Sequence, residues 1–311
     1  MLMWNTVFSA LLPVLLMILL GAGLRRIRFL SPACFEGLNR LAFWVGLPCM
    51  LFIEIAGTKV SGGDALRVSA VIMASSLLML LPALALGRLF RLKSPAMRAF
   101  NQGVFRGNLV YVGLPVVLFA LPPDSEVRAT VVLALAPTIP FFNILSVLLL
   151  LRPDAGTRGR WWLGMLGGMA RNPLILACLL GMAALALDVQ LPTALHRAVD
   201  GIGKLGLPSA LLALGASLTW ERLRGQGAPA FAAALLKVGL MPLIGFFIAR
   251  ACGLDGALLT VCLLYLTTPT AVASYVMADQ MGADADLAAG IIVVGTVLAF
   301  PALAVVLLLF G

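Results

Sequence analysis

Between Phe100 and Leu118 an apolar run is interrupted by Asn101, Gln102, Arg106 and Asn108, then by Gly113, Leu114 and Pro115. A guanidinium grips a carboxylate through a two-bond fork, and an asparagine amide both donates and accepts. The chemistry on offer is recognition of an anion. A second apolar run, Leu263–Met281, is interrupted at Thr267, Thr268 and Pro269, with Tyr265, Thr270, Ser274 and Tyr275 around the interruption. Thr270 and Ser274 are four residues apart and share a helix face. Gln102 and Arg106 do likewise, and Asn101 and Asn108 share a neighbouring face. A charge at the centre of a spanning helix costs about 2.5–3.5 kcal/mol, so these side chains are not expected to face lipid. Proline removes a backbone donor and clashes with the preceding turn, so each run is expected to kink or open at its proline. Backbone freed in this way is tolerated at membrane depth only against protein or a water-filled cavity. Two interrupted helices in matching halves point to a site between them.

The residues expected to line that site are Asn101, Arg106, Asn108, Tyr111, Thr138, Asn143, Thr268, Thr270 and Ser274, with Gly113, Pro115 and Pro269 at the interruptions. Each has a competing role. Asn108 either lines the substrate or satisfies opened backbone. Arg106 either pairs with an anion or snorkels to the cytoplasmic interface, eight residues past Arg98. Lys237, inside the eighth apolar segment, is a second cation and is expected to snorkel. Thr138 and Asn143 lie near Pro137 and Pro140 and, like Thr296, either support the broken helices, line the cavity or bond their own helix. Tyr111 and Tyr265 either cover a substrate or pack. Half-helix N-termini carry free amides and a positive dipole end, which suits a carboxylate.

The carboxylates Glu54, Asp200 and Asp279 fall at segment ends, none central, and no adjacent aspartate pair exists to suggest sodium/proton exchange. Proton symport, exchange and facilitated diffusion stay open. His196, the single histidine, reads as a solvated loop residue near the outer face. No HExxH, GxSxG or clustered catalytic acids occur, so no enzyme is expected. No metal-ligand spacing occurs among the five cysteines, which read as buried small hydrophobes, and no cofactor is expected.

The elements that must position these groups are membrane helices. The chain is 62% hydrophobic and 11% charged, with a mean hydropathy of +1.07, against about 25% charged for a soluble domain. A spanning helix needs about 20 apolar residues. Ten segments qualify, at roughly 5–24, 34–55, 67–89, 98–121, 127–151, 172–187, 196–219, 229–252, 256–280 and 286–310. The net charge of +9 sits in short loops as a topology signal, so nucleic acid is not an expected partner. Arg25, Arg26 and Arg28, then Arg88, Arg91, Lys93 and Arg98, then Arg152, Arg158, Arg160 and Arg171, then Arg222 and Arg224 put the odd loops in the cytoplasm. The same rule puts both termini outside. Val7–Leu24 is followed, not preceded, by basic residues, so it reads as a retained helix. Arg160–Arg171, with Trp161 and Trp162, reads as an interfacial helix.

A shift of 160 residues superposes Pro13 on Pro173, Pro32 on Pro192, Pro48 on Pro208 and Pro82 on Pro242, and carries Gly46-Leu47-Pro48 onto Gly206-Leu207-Pro208. The expected organisation is a five-helix repeat at 1–151, a cytoplasmic linker at 152–171 and a second repeat at 172–311. Five is odd, so the second half enters the membrane inverted.

Asn101–Asn108 (NQGVFRGN) followed by Gly113-Leu114-Pro115, Pro269–Ala289 (PTAVASYVMADQMGADADLAA) and Ala170–Leu176 (ARNPLIL) resemble the auxin efflux carrier family. This family includes bacterial malate and malonate permeases and plant auxin exporters. The resemblance implies an all-α integral membrane protein of ten helices in two inverted repeats, with interrupted fourth and ninth helices that cross. It also implies a scaffold part, a transport part and an elevator-like motion. It places the crossing prolines at Pro115 and Pro269 and the asparagine before them at Asn108. Thr270 and Ser274 stand where the family often has an asparagine. The expected function is secondary transport of a small organic anion, a mono- or dicarboxylate such as malate or malonate or an auxin-like acid, in a bacterial inner membrane. The expected partners are that anion and the lipid bilayer, with a homodimer left open. The alternative is an anion channel or a membrane sensor.

Overall fold

The computed structural model describes residues 2–56, 62–122, 125–150, 173–217 and 227–311. These residues are predominantly helical, and among them the sole strand-like feature is one isolated bridge. In lipid every backbone polar group needs a partner, and a helix supplies it within the segment. The elements in order are α1 (Leu2–Arg26), α2 (Pro32–Leu41), α3 (Leu47–Ala56), α4 (Gly62–Leu78), α5 (Leu80–Leu89), α6 (Ser94–Phe105), α7 (Leu114–Ala120) and α8 (Glu126–Leu150). The second half adds α9 (Pro173–Ala186), α10 (Thr193–Ser217), α11 (Gly227–Leu235), α12 (Met241–Ala251), α13 (Gly256–Thr267), α14 (Ala273–Gln280) and α15 (Ala285–Phe310). Among the described residues six stretches are long and apolar enough to cross a membrane: Pro32–Ala56, Gly63–Leu89, Val127–Leu150, Thr193–Ser217, Gly227–Ala251 and Ala285–Phe310. Leu109–Ala120, Leu176–Ala186 and Gly256–Thr267 are shorter apolar helices. The interfacial helix expected at Arg160–Arg171 lies outside the described residues.

Among the described residues three π-turns, at Ala42–Gly46, Leu109–Gly113 and Leu236–Leu240, accommodate three of the internal prolines. Each is followed by a helix with proline in its first turn: Pro48, Pro115 and Pro242. Proline has no N–H, and its ring crowds the carbonyl four residues back. One extra residue per turn relieves both problems. The closing bonds run five residues back, from the Leu47, Leu114 and Met241 amides to the Ala42, Leu109 and Leu236 carbonyls. At Pro115 the helix therefore widens, and the opening expected there falls elsewhere, at Arg106–Asn108.

The helices sort into two packed groups. α1, α2, α3, α9 and α10 form one, and α4, α5, α6, α8 and α11 to α15 form the other, with α7 lying against α1 and α13. Within the first group a Cβ added to Gly46 would lie 2.6 Å from the Gly206 Cα, so these two helices touch backbone to backbone. A half-buried ion pair, Arg128 to Glu54 at 2.9 Å, ties α8 to α3. Glu54 is thus held structurally. Arg98, expected as a loop charge, is instead buried and donates to the Leu150 carbonyl at 2.6 Å and the Gly282 carbonyl at 2.8 Å. A cation there meets the negative end of α8. Cys178 and Cys262 are buried, but Cys34 and Cys252 are exposed, against the expectation for all five, because both sit at helix ends.

Candidate functional site

The two broken helices meet. α6 ends at Phe105, and the chain then runs extended through Arg106 (φ −84°, ψ 101°) to Asn108. α13 ends at Thr267, and Thr268 is likewise extended (φ −58°, ψ 146°) ahead of Pro269. The stretches lie antiparallel, bridged at Gly107 and Thr270. The Asn108 amide donates to the Pro269 carbonyl at 2.7 Å, and the Ala271 amide donates to the Arg106 carbonyl at 3.0 Å. Each break thus supplies the partners that the other break lost, which is what permits irregular backbone at this depth.

Side chains finish the junction. Thr270 Oγ1 donates to the Gly103 carbonyl at 2.6 Å, and Thr268 Oγ1 donates to the Tyr265 carbonyl at 2.7 Å. Asn108 Oδ1 accepts from the Tyr111 amide at 3.3 Å and so caps the turn that follows. Gly107 is required by the close approach. A Cβ there would lie 2.6 Å from Thr268 Oγ1 and 3.3 Å from Lys237 Nζ. Gly113 serves packing, since its Cβ would meet the Tyr265 ring at 2.7 Å.

A cavity of about 340 Å³ opens on one side of this junction. Residues 107–111 and 271–273, the N-terminal ends of the two continuing half-helices, form its wall together with Arg106, Phe142, Asn143 and Met277. Arg106 is 9% exposed. Its Nη1 donates to Ser146 Oγ at 2.9 Å and its Nη2 donates to Asn143 Oδ1 at 2.8 Å, with Met277 Sδ against the fork. Both acceptors are neutral, and among the described residues no carboxylate pairs with it. The snorkelling alternative for Arg106 therefore fails: the guanidinium points inward and is fixed by α8.

Of the residues read from the sequence, Arg106, Asn108, Tyr111 and Asn143 line this cavity. Thr268, Thr270, Pro269 and Gly113 belong to the junction behind it. Pro115 lies beyond, in α7. Thr138 donates to the Ala134 carbonyl at 2.7 Å and Thr296 to the Ile292 carbonyl at 2.7 Å, each bonding its own helix. Tyr265 is fully buried packing. Asn101 and Ser274 are buried, and Asn101 Oδ1, Gln102 Oε1 and Ser274 Oγ find no hydrogen-bond partner among the described residues. Lys237 corrects a further expectation. It does not snorkel: it is 1% exposed, and its Nζ donates to the Leu266 carbonyl at 2.6 Å.

Sequence reasoning missed Ser146, Asn39 and Gly107. Ser146 lies three residues past Asn143, so the pair shares a helix face, a signal that was there to read. Asn39 accepts from the Tyr111 hydroxyl at 2.8 Å. Tyr111 and Val272 thereby separate the central cavity from a second one of about 270 Å³ that holds Arg25, Glu36 and Asn39. Among the described residues no cluster suits a metal ion.

Residues 6–158 and 165–307 match the family model described as Membrane transport protein. The chain is also 24% identical over 267 residues to a protein of Rhizobium meliloti (strain 1021) described as "Putative malonate transporter", covering 84% of this chain and 82% of that one.

Proposed function

This chain belongs to the membrane transport protein family, that of the auxin efflux carriers, and on that premise we propose that it is a secondary carrier of a small organic anion. The observation that carries this reading is Arg106: a buried guanidinium, held by neutral partners, in a cavity walled by the N-terminal ends of two half-helices. Those ends add positive dipole and backbone amides to its charge. The carboxylate of the substrate completes the charge balance. The cavity volume suits a small molecule, and the relative's name makes malonate the first anion to try.

The wider architecture in this reading has ten crossings in two inverted halves, 1–151 and 172–311, with the odd loops cytoplasmic, both termini outside and the protein in an inner membrane. The contact of Gly46 with Gly206 supports it, because these glycines are equivalent under the 160-residue shift. The sorting of helices into two groups supports an elevator-like movement of the larger group, which carries the junction, against the smaller. The test is flux in proteoliposomes. A carrier gives saturable malonate uptake that is accelerated by malonate inside. Unsaturable flux without counterflow indicates a channel, and the absence of flux and binding for every carboxylate tried rejects the reading.

A further inference from the structure

The junction has two electrically different sides. The continuing half-helices present amides to the cavity. The ending half-helices, α6 and α13, present carbonyls to the other side. In secondary carriers built from broken helices, anionic substrate groups sit at half-helix N-termini, while freed carbonyls and half-helix C-termini hold the coupling cation. In this protein the carbonyl side is already occupied. Lys237 Nζ donates to the Leu266 carbonyl, one residue from the end of α13, at 2.6 Å. It also lies 3.3 Å from where a Cβ on Gly107 would stand, so it sits directly behind the bridge.

Three observations make this more than packing. Lys237 is 1% exposed, among the most buried large side chains of the protein. No carboxylate pairs with it among the described residues. From the π-turn Leu236–Leu240 its Nζ reaches a carbonyl next to the broken end of α13 and not one of its own helix. Lys237 is also not among the residues that line the cavity, as Arg106 is.

We infer that Lys237 is a built-in substitute for a coupling cation: its ammonium fills, on the carbonyl side of the junction, the place that a bound sodium ion holds in a sodium-coupled carrier. The inference rests on the carrier reading for its meaning in transport. Two consequences follow. Anion binding needs no sodium, because the positive charge that completes the junction is covalently present. Removing the side chain leaves a space at the Leu266 carbonyl that a small ammonium ion can refill.

The experiment measures malonate affinity and, separately, thermal unfolding without malonate, for wild type, Lys237→Ala and Lys237→Met in sodium, choline, ammonium and methylammonium chloride. Wild-type affinity is expected to be equal in sodium and choline. Lys237→Ala is expected to bind about tenfold or more weakly in choline and to recover in ammonium or methylammonium. Lys237→Met, which fills the space without charge, is expected to be weak and not to recover. Wild-type binding that requires sodium, full affinity of either variant in choline, or equal rescue of both variants overturns the inference. The unfolding arm reads the junction alone. Stabilisation of Lys237→Ala by methylammonium and not by choline supports the ammonium site even if no carboxylate binds, an outcome that would reject the carrier reading instead. Its absence in a folded variant overturns the ammonium site. If Lys237→Ala does not fold, Lys237→Met and the sodium dependence of the wild type decide.

Discussion

In the fourth segment the extended residues are Arg106, Gly107 and Asn108; in the ninth they are Thr268, Pro269 and Thr270. Their backbones are matched, each supplying one bond of the bridge. Their side chains point to different tasks. Arg106 and Asn108 face the cavity. The two threonine hydroxyls turn to the carbonyls of Tyr265 and Gly103. Among the described residues the ninth segment offers the cavity Ala271, Val272, Ala273 and Met277. A crossing of two broken helices thus needs both breaks for backbone satisfaction, while polar side chains reach the cavity from one of them alone among the described residues. In the proposed function the side chains of the ninth segment act as support and those of the fourth read charge.

The sharpest way to break this comparison is to neutralise the reading side without removing it. Asn143→Asp would put a carboxylate at the acceptor now 2.8 Å from Arg106 Nη2. A close buried charge pair couples by several kcal/mol, so malonate affinity should fall by about a hundredfold or more while thermal stability holds or rises. Unchanged affinity in a folded variant would show that the charge of Arg106 is not used. Next comes the junction itself. Gly107→Ala would force a methyl against Thr268 Oγ1, and overpacking costs about 1–3 kcal/mol, read as a lower unfolding midpoint together with weaker binding. Asn108→Ala removes the cap on the Tyr111 amide, at about 0.5–2 kcal/mol of stability. Because Asn108 also lines the cavity, affinity should drop with stability. Thr270→Val removes the donor to the Gly103 carbonyl, a net loss of about 1 kcal/mol in stability alone. Loss of affinity in a stable Thr270→Val would move recognition to the ninth segment and end the division of labour.

The helical segments were legible because membrane helices announce themselves through long apolar runs: the described residues are predominantly helical, and six stretches of them are long and apolar enough to cross a membrane. The interruptions were legible as polar groups in those runs. The position of the fourth break was not. Proline at 115 reads as the weak point, yet a π-turn absorbs it, and the chain opens seven residues earlier at the place where its amides find the ninth segment. That choice is made by tertiary pairing, which no local preference encodes. The fate of Lys237 was hidden for the same reason. A lysine within an apolar segment has a long stem that reaches an interface in most settings. Its inward course depends on a carbonyl, that of Leu266, exposed by a break in another helix. Thr138 shows the opposite case: polar and placed among prolines, it was consumed by its own helix.

The most direct test of the account is malonate affinity in Arg106→Lys and Arg106→Ala beside wild type, in one detergent and at one pH, with the unfolding midpoint of each protein recorded. Lysine keeps the charge but loses the planar fork. Wild type is expected to bind best, lysine more weakly and alanine weakest, alanine losing about 2–5 kcal/mol, in proteins that still unfold cooperatively. Wild-type affinity in a folded Arg106→Ala would contradict it.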